Sequence, residues 1–452
     1  MTEAIPLISH PSEVAVLAYR GGKPINAARF LADVHHLVAG LPAGAHVLNV
    51  CTDRYFFAVG LCAALVAGKI SLLPSTQTPE VIRQLQTFAP DAFCLTDDAH
   101  CDIALPRFMC TAEAPLQTIA WQIPAIPAAQ IAAYVFTSGS TGVPVPHAKT
   151  WGRLVQCVHR EAERLGLRES AAYTLIGTVP AQHMYGFEST VLLALQSGAA
   201  FCAERPFYPA DICNTVAAAP RPRALITTPI HLRALLGMNI ALPPLDLLVS
   251  ATAHLASGLA LEAESKFHAP LIEIYGSTET GQIATRRTAS QIAWRLWPAV
   301  RMSIEDGIAF AEGGHVGART RINDVIEPVD DEHFLLHGRT TDLVNIAGKR
   351  SSFGYLNHQL NAIDGVYDGA FFLRDAPDES QTGVSRLAAL VVAPKLNAAA
   401  LNKELRERID PVFLPRPLLF VDQLPRNGTG KLPQTALQAL AHSLLKGRGS
   451  LP

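Results

Sequence analysis

Six short apolar runs constrain this chain more than any other feature: "HVLNV" (46–50), "AFCLT" (92–96), "AAYVF" (132–136), "ALITT" (224–228), "LDLLVS" (245–250) and "LIEIY" (271–275). Each is apolar without a polar face and ends at turn-forming residues, as strands buried on both sides do. Between them lie segments of helical spacing such as "INAARFLADVHHLVAGL" (25–41) and "TPEVIRQLQTFA" (78–89). Helical and β-prone segments therefore alternate, which predicts an α/β fold with mostly parallel sheets.

The chain has 452 residues, of which 49% are hydrophobic and 17% charged. That length exceeds one ordinary domain, and the apolar share suffices for large cores. Near "VDDEHFLLHGRTTDLVNIAGKR" the texture changes to charged turns and glycines, and beyond it come helix-like "LNHQLNAI" and strand-like "LAALVVA". The predicted division is 1–337 and 338–452, with the boundary at Gly338. A net charge of −2 without basic runs argues against nucleic acid as a partner and favours a small ligand. The most apolar stretch, "YFFAVGLCAALVAG" (Tyr55 to Gly68), stops at Lys69, too short for a membrane span, and reads as a buried helix. The start shows no export signal. Eight cysteines (51, 62, 94, 101, 110, 157, 202, 213) lie in the first half without Cys-x-x-Cys pairing, so reduced thiols in a cytoplasm are expected.

Four constellations carry chemistry. In "YVFTSGSTGVPVPHAKTW" a β-prone run empties into Thr137, Ser138, Gly139, Ser140, Thr141 and Gly142. Amides and hydroxyls of such a turn converge on phosphate oxygens, and a helix beginning near His147 would add its positive end. Neither the Gly-x-x-x-x-Gly-Lys-Ser/Thr loop nor Gly-x-Gly-x-x-Gly occurs. By itself, the loop reads first as a hydrophilic connection between strand and helix. In "IEIYGSTETGQ", Tyr275 and Gly276 let an aromatic face and bare backbone approach a flat ligand. Ser277 and Thr278 offer hydroxyls there, and Glu279 a hard oxygen for Mg²⁺. In the third, Asp324 suits ribose hydroxyls and Arg339 the same sugar or a phosphate. The fourth, "LPRNGTGKLPQTAL", projects Lys431 from a glycine loop. A solvated turn is the plain alternative for each.

In order and separation, "TSGSTGVP", "VPAQHMYG" (Val179 to Gly186), "VSATAHL" (Val249 to Leu255), "YGSTE", Asp324, "GRTTD" and "NGTGK" resemble the adenylate-forming superfamily of acyl- and aryl-CoA synthetases, adenylation domains and luciferases. The shortness of the chain, "NVCTDRYFFAVGL" and "VSATAHL" further resemble compact ligases of bacterial aryl-polyene and xanthomonadin-type pigment clusters, which act on hydroxybenzoate-like acids. The resemblance implies a large multi-subdomain N-terminal domain and a small, mobile α+β C-terminal domain. It implies attack of a carboxylate on ATP to give acyl-adenylate, then transfer to a thiol, either carrier-protein phosphopantetheine or coenzyme A. By the same resemblance the 137–142 loop takes the β- and γ-phosphates, Thr278 the α-phosphate and Glu279 Mg²⁺. Tyr275 stacks adenine against the backbone of Ala251, Thr252 and Ala253, while Asp324 and Arg339 hold ribose. Lys431 reaches the carboxylate and α-phosphate, and Gly348 enters after the small domain turns. His183, Met184, Tyr185, Ser250, Ser277, Gln282 and Ile283 are candidates for the acid pocket.

Two positions depart from that pattern: Val145 stands where lysine is usual after the loop's proline, and Thr341 where a hinge aspartate is common. Lys149 is either a substitute phosphate cation or a helix-surface lysine. Pro433 and Gln434 fall where relatives often carry arginine and receive no role. A non-catalytic nucleotide-binding relative is the alternative that Val145 and Thr341 leave open. A serine hydrolase is disfavoured, because Gly-x-Ser-x-Gly is missing from the serine-rich loops.

Overall fold

A computed structural model describes residues 3–110, 121–138, 144–167, 172–238, 240–339, 343–346, 349–374, 386–426 and 432–448. Among them the apolar runs become buried strands of two large sheets. In the smaller sheet, Ile131–Ser138, Ile70–Leu73, His46–Asn49, Phe93–Thr96 and Arg107–Met109 run parallel side by side. In the larger, Leu271–Ser277, Leu247–Ser250, Arg223–Thr227, Thr174–Gly177, Ala200–Cys202 and Val16–Arg20 form the parallel centre, and antiparallel strands flank it. Parallel strands need crossovers, and the helices Arg54–Val66, Pro79–Phe88 and Ser257–Phe267 supply them.

Arg54–Val66 is apolar around nearly its whole circumference and is accordingly buried. Asp53 caps it, accepting from the Tyr55 amide at 2.8 Å. Its first residue, Arg54, is 2% exposed. The guanidinium donates to the carbonyls of Cys202 and Glu204 at 2.8 Å each, and to those of Gly177 and Val179 at 2.9 and 3.0 Å. A helix of the smaller sheet thus holds the ends of two strands of the larger one. Burial lowers this group to about 10, which leaves it charged at neutral pH.

The large-sheet pairings run through the strand His333–Arg339, and a separate apolar cluster begins at Val344. That cluster is the core of the smaller C-terminal domain, built from the helices Phe353–Asn361 and Ala398–Arg408 on the strands Asp368–Arg374, Arg386–Val392 and Leu418–Phe420. Its Asp368 receives Arg426 at 2.7 Å from within the domain and Arg233 at 3.4 Å from the large one. His254 and His358 also meet across the junction, at 2.9 Å between ring nitrogens.

One local expectation fails. Residues 139–143 are followed by a strand, Pro144–Thr150, that pairs antiparallel with Ile131–Ser138; the helix starts only at Trp151. The chain on either side of the Gly/Ser/Thr segment is therefore strand, and the segment does not lead straight into a helix. "PVPH" explains the miss: two prolines and β-branched Val145 disfavour helix and suit an edge strand. All eight cysteines are free thiols. No helix among the described residues is long and apolar enough to cross a membrane.

Arg54→Met should lower the unfolding free energy by at least about 3 kcal/mol, because it strands several buried carbonyls at about 1–3 kcal/mol each. Arg54→Lys should recover little, since one ammonium cannot reach four acceptors. Urea midpoints of the three proteins test this, and a near-native Arg54→Met midpoint would refute it.

Candidate nucleotide and acid site

The strands Leu271–Ser277 and Gly281–Arg286 form a hairpin whose turn carries Thr278 and Glu279. Two reciprocal bonds pin that turn: Ser277 N donates to Thr280 Oγ1, and Thr280 N donates to Ser277 Oγ, both at 3.2 Å. Gly276 must be glycine, since a Cβ there would strike Gly281 O and Gln282 Cα of the facing strand. Thr278 and Glu279 are half-buried at the tip.

The second hairpin meets this tip. Val145, His147 and Lys149 share one face of Pro144–Thr150 by the two-residue period of a strand. His147 Nε2 lies 2.9 Å from Thr137 Oγ1 on the partner strand and 4.0 Å from Glu279 Oε1. Lys149 Nζ donates to the Glu279 carbonyl at 3.2 Å. Lys149 is therefore neither helical nor on the surface: burial lowers its ammonium, while the carboxylate of Glu188 opposes that shift. Burial likewise lowers His147, against the pull of Glu279. Val145 remains exposed.

On the other side of the hairpin, Tyr275 donates to Asp324 Oδ2 at 2.6 Å, and its ring packs against Trp294 and Phe334 at 5.5 Å. Asp324 and Arg339 are direct cross-strand partners. Ala251, Thr252 and Ala253 follow Leu247–Ser250, the parallel neighbour of the Tyr275 strand. Thr252 takes a left-handed φ of 81°, a conformation costly for a β-branched residue and concentrated at functional sites.

His183 borders a crevice of about 300 Å³ with Thr52, Ser75, Thr76, Gln182 and Arg205, at the carboxyl ends of strands from both sheets. Met184 and Tyr185 turn inward after it, and Tyr185 donates to the Val249 carbonyl at 3.1 Å. Ser250 is fully buried, and its hydroxyl makes no hydrogen bond. Gln282 Nε2 donates to Ser189 Oγ at 2.9 Å and Glu161 Oε2 at 3.2 Å. Ile283, the next residue, faces the opposite side of the strand and packs in the apolar cluster of Trp294 and Trp297. The expectation that Gln282 and Ile283 share one wall fails on strand alternation. Ser277 is exposed and engaged by Thr280, at the tip and not at the buried floor.

Gly139, Ser140, Thr141, Gly142, Thr341, Gly348 and Lys431 lie outside the described residues, and of Ser138 and Arg339 only the backbone is described. Sequence reasoning missed His147, Glu161, Glu188 and Ser189. A signal existed for Glu161: in the helix Trp151–Arg164 it continues the apolar stripe of Leu154, Val158 and Ala162. Burial raises its carboxyl to about 8 and that of Glu188 to about 7, where Lys149 works in the other direction.

The family model for AMP-binding enzymes matches residues 35–307, and the model for the C-terminal domain of AMP-binding enzymes matches 376–431. A 4-coumarate–CoA ligase of Rhodobacter capsulatus is 31% identical over 299 residues, 65% of this chain and 73% of that protein. Among solved structures, ATP-bound MatB from Rhodopseudomonas palustris superposes with a TM-score of 0.81 at 18% identity, covering 96% of this chain and 97% of that one. The anthranilate CoA ligase AuaEII in complex with anthranoyl-AMP gives 0.80 at 15% identity, covering 97% and 99%. At such identities the two structures establish the fold.

The buried glutamates make a pH prediction. Each holds its proton more tightly folded than unfolded, so the stability they contribute is full below the ordinary value of 4.5 and is lost as pH rises through about 7 to 8. Glu161→Gln should therefore flatten the fall in unfolding free energy between pH 5 and pH 9 by roughly 2–4 kcal/mol. Parallel stability–pH curves for the two proteins would contradict this.

Proposed function

Since the chain belongs to the AMP-binding enzyme family, whose members are AMP-forming acid–thiol ligases, we propose that it activates a carboxylic acid with ATP and passes the acyl group to a thiol. The proposed acid is an aryl, hydroxybenzoate-like one and the proposed acceptor carrier-protein phosphopantetheine, with coenzyme A as the alternative. The observation that carries this reading is the convergence at one hairpin of Tyr275 with Asp324, of the Thr278–Glu279 turn, and of the strands that bound residues 139–143.

The described residues fit a nucleotide and its metal. Gly276 exposes its backbone beside the Tyr275 ring, Asp324 offers a carboxylate for ribose hydroxyls, and the pinned turn presents one hard carboxylate, Glu279, beside the Thr278 hydroxyl. Mg²⁺ held there would neutralise charge on the phosphates during displacement. Adenine would lie between Tyr275 and the backbone of 251–253, with Arg339 supporting the sugar. Amides and hydroxyls of 137–142 would take the pyrophosphate end. Lys431 would bridge carboxylate and α-phosphate in the first half-reaction, and Gly348 would face the site after the mobile small domain turns for the second.

Lys149 is better suited to a positioning role than to replacing the cation absent at Val145, because its ammonium is engaged by the Glu279 carbonyl. Lys149→Met should raise the Mg²⁺ requirement and slow acyl-adenylate formation about tenfold or more. Transfer from supplied adenylate should be spared, and Val145→Lys should not rescue the variant. Rescue by Val145→Lys would instead make Lys149 a phosphate ligand.

ATP–pyrophosphate exchange over benzoic, cinnamic and fatty acids tests the reading itself, and exchange with none of them would favour a non-catalytic binder. Lys431→Ala should cost exchange about 10²–10³-fold while sparing transfer. Equal loss in both half-reactions would defeat the assignment. Coenzyme A and a phosphopantetheinylated carrier, offered in parallel, decide the acceptor.

A further inference from the structure

Behind Tyr185 and Gln282 lies a polar group that the nucleotide chemistry does not use. Glu161, Ser189 and Gln282 come from three different elements and are each no more than 4% exposed. Gln282 bonds Glu161 and Ser189, and the Ser189 hydroxyl also bonds the Glu161 carboxylate. Yet Glu161 Oε1 and Gln282 Oε1 make no hydrogen bond among the described residues. Buried polar atoms without partners are rare and costly, so such an arrangement is completed by a hydrogen-bonding group brought from outside. The segment that supplies Ser189, Phe187–Leu192, is a π-helix, an irregularity that recurs at functional sites. It follows directly on His183, Met184 and Tyr185, and the charge of Glu161 acts on the Tyr185 hydroxyl.

We propose that Glu161 and Gln282, braced by Ser189, form the specificity determinant of the acid pocket and hydrogen-bond a hydroxyl on the substrate remote from its carboxylate. This rests on the acid-activation reading above. The unpartnered atoms of Glu161 and Gln282 are both oxygens, while the Gln282 amide nitrogen is already used. Burial keeps the Glu161 carboxyl protonated at neutral pH, so its O–H donates to the hydroxyl oxygen while Gln282 Oε1 accepts from the hydroxyl. An apolar distal end would leave both atoms unpaired, and a methyl ether would leave Gln282 Oε1 without a donor. The neighbouring Glu188 has partners of its own: the Cys157 thiol donates to it at 3.2 Å, and Lys149 acts on its charge.

The test compares matched acids on one protein sample, so that any loss of folded protein cancels. The kcat/KM for pyrophosphate exchange is measured with 4-hydroxy-, 3-hydroxy-, 4-methoxy- and unsubstituted benzoate, and with 4-coumarate against cinnamate. The native protein should favour one hydroxylated acid over both its methoxy and unsubstituted counterparts by at least about 100-fold. Glu161→Leu and Gln282→Leu should each cut that ratio below about tenfold. Glu161→Gln, which offers an amide N–H in place of the carboxyl O–H, should retain most of it and serves if the leucine variants do not fold. Equal kcat/KM for hydroxylated and methoxylated acids in the native protein would overturn the proposal, as would an undiminished ratio in Glu161→Leu. Exchange with no acid, in a protein that still binds ATP by calorimetry, would remove the underlying reading instead.

Discussion

The Arg54 guanidinium is the contact on which the rest of the arrangement depends. The two large sheets have separate strand orders and share no ladder among the described residues, so side chains must fix how one sits on the other. Apolar packing between them is extensive but indifferent to small rotations. Four directional bonds from one rigid fork are not, and they end on carbonyls just past Thr174–Gly177 and Ala200–Cys202. Those same strand ends lead into His183 on one side and Arg205 on the other, which border the crevice between the sheets. A cation at the start of a buried helix thereby sets the geometry of the cleft.

Much of this was legible in the sequence, for identifiable reasons. Strands buried on both faces need no amphipathic pattern, so "HVLNV", "AFCLT" and "LDLLVS" announced themselves as apolar runs, and the structure has them at His46–Asn49, Phe93–Thr96 and Leu247–Ser250. Tyr275, Glu279 and Asp324 stood out because a strand-end aromatic beside glycine and isolated acids suits a nucleotide. The segment after residue 143 was misread because strand and helix were weighed by the expected phosphate-loop plan and not by its prolines. That single error put Lys149 on a helix surface, whereas the two-residue period places it on the inward face with His147. The polar group at Glu161 was invisible for another reason. Its members lie 121 residues apart in the case of Glu161 and Gln282, and only tertiary packing brings them together.

If residues 137–142 meet phosphate as proposed, they do so without a following helix or an adjacent lysine and rely on other fields. Backbone amides and a carboxylate proposed to bear a metal can both be strong within a half-buried site, where solvent screens little. No cation stands at Val145; two side chains further in on the same face stands Lys149. Its charge there is matched by Glu188 and its hydrogen bond goes to the Glu279 carbonyl. Moving the charge inward exchanges direct attraction for a fixed turn. A fixed turn suits a carboxylate proposed to hold a metal, because octahedral coordination tolerates little displacement.

One hairpin, Leu271–Ser277 with Gly281–Arg286, carries contacts of every kind the proposed chemistry needs. Tyr275 pairs with Asp324 on one side, Glu279 sits at the turn, and Gln282 reaches inward to Glu161 and Ser189. The turn is closed by the Ser277 and Thr280 bonds, and Gly276 admits no side chain, so the two strands cannot slip relative to one another without breaking that closure. A displacement of Gln282 by a poorly fitting acid would therefore be carried across three residues to Glu279. On the proposed reading, selectivity for the acid and alignment of the phosphates become properties of the same rigid element: an acid that leaves the Glu161 floor unpaired would bind less well and would also disturb the turn proposed to serve adenylation.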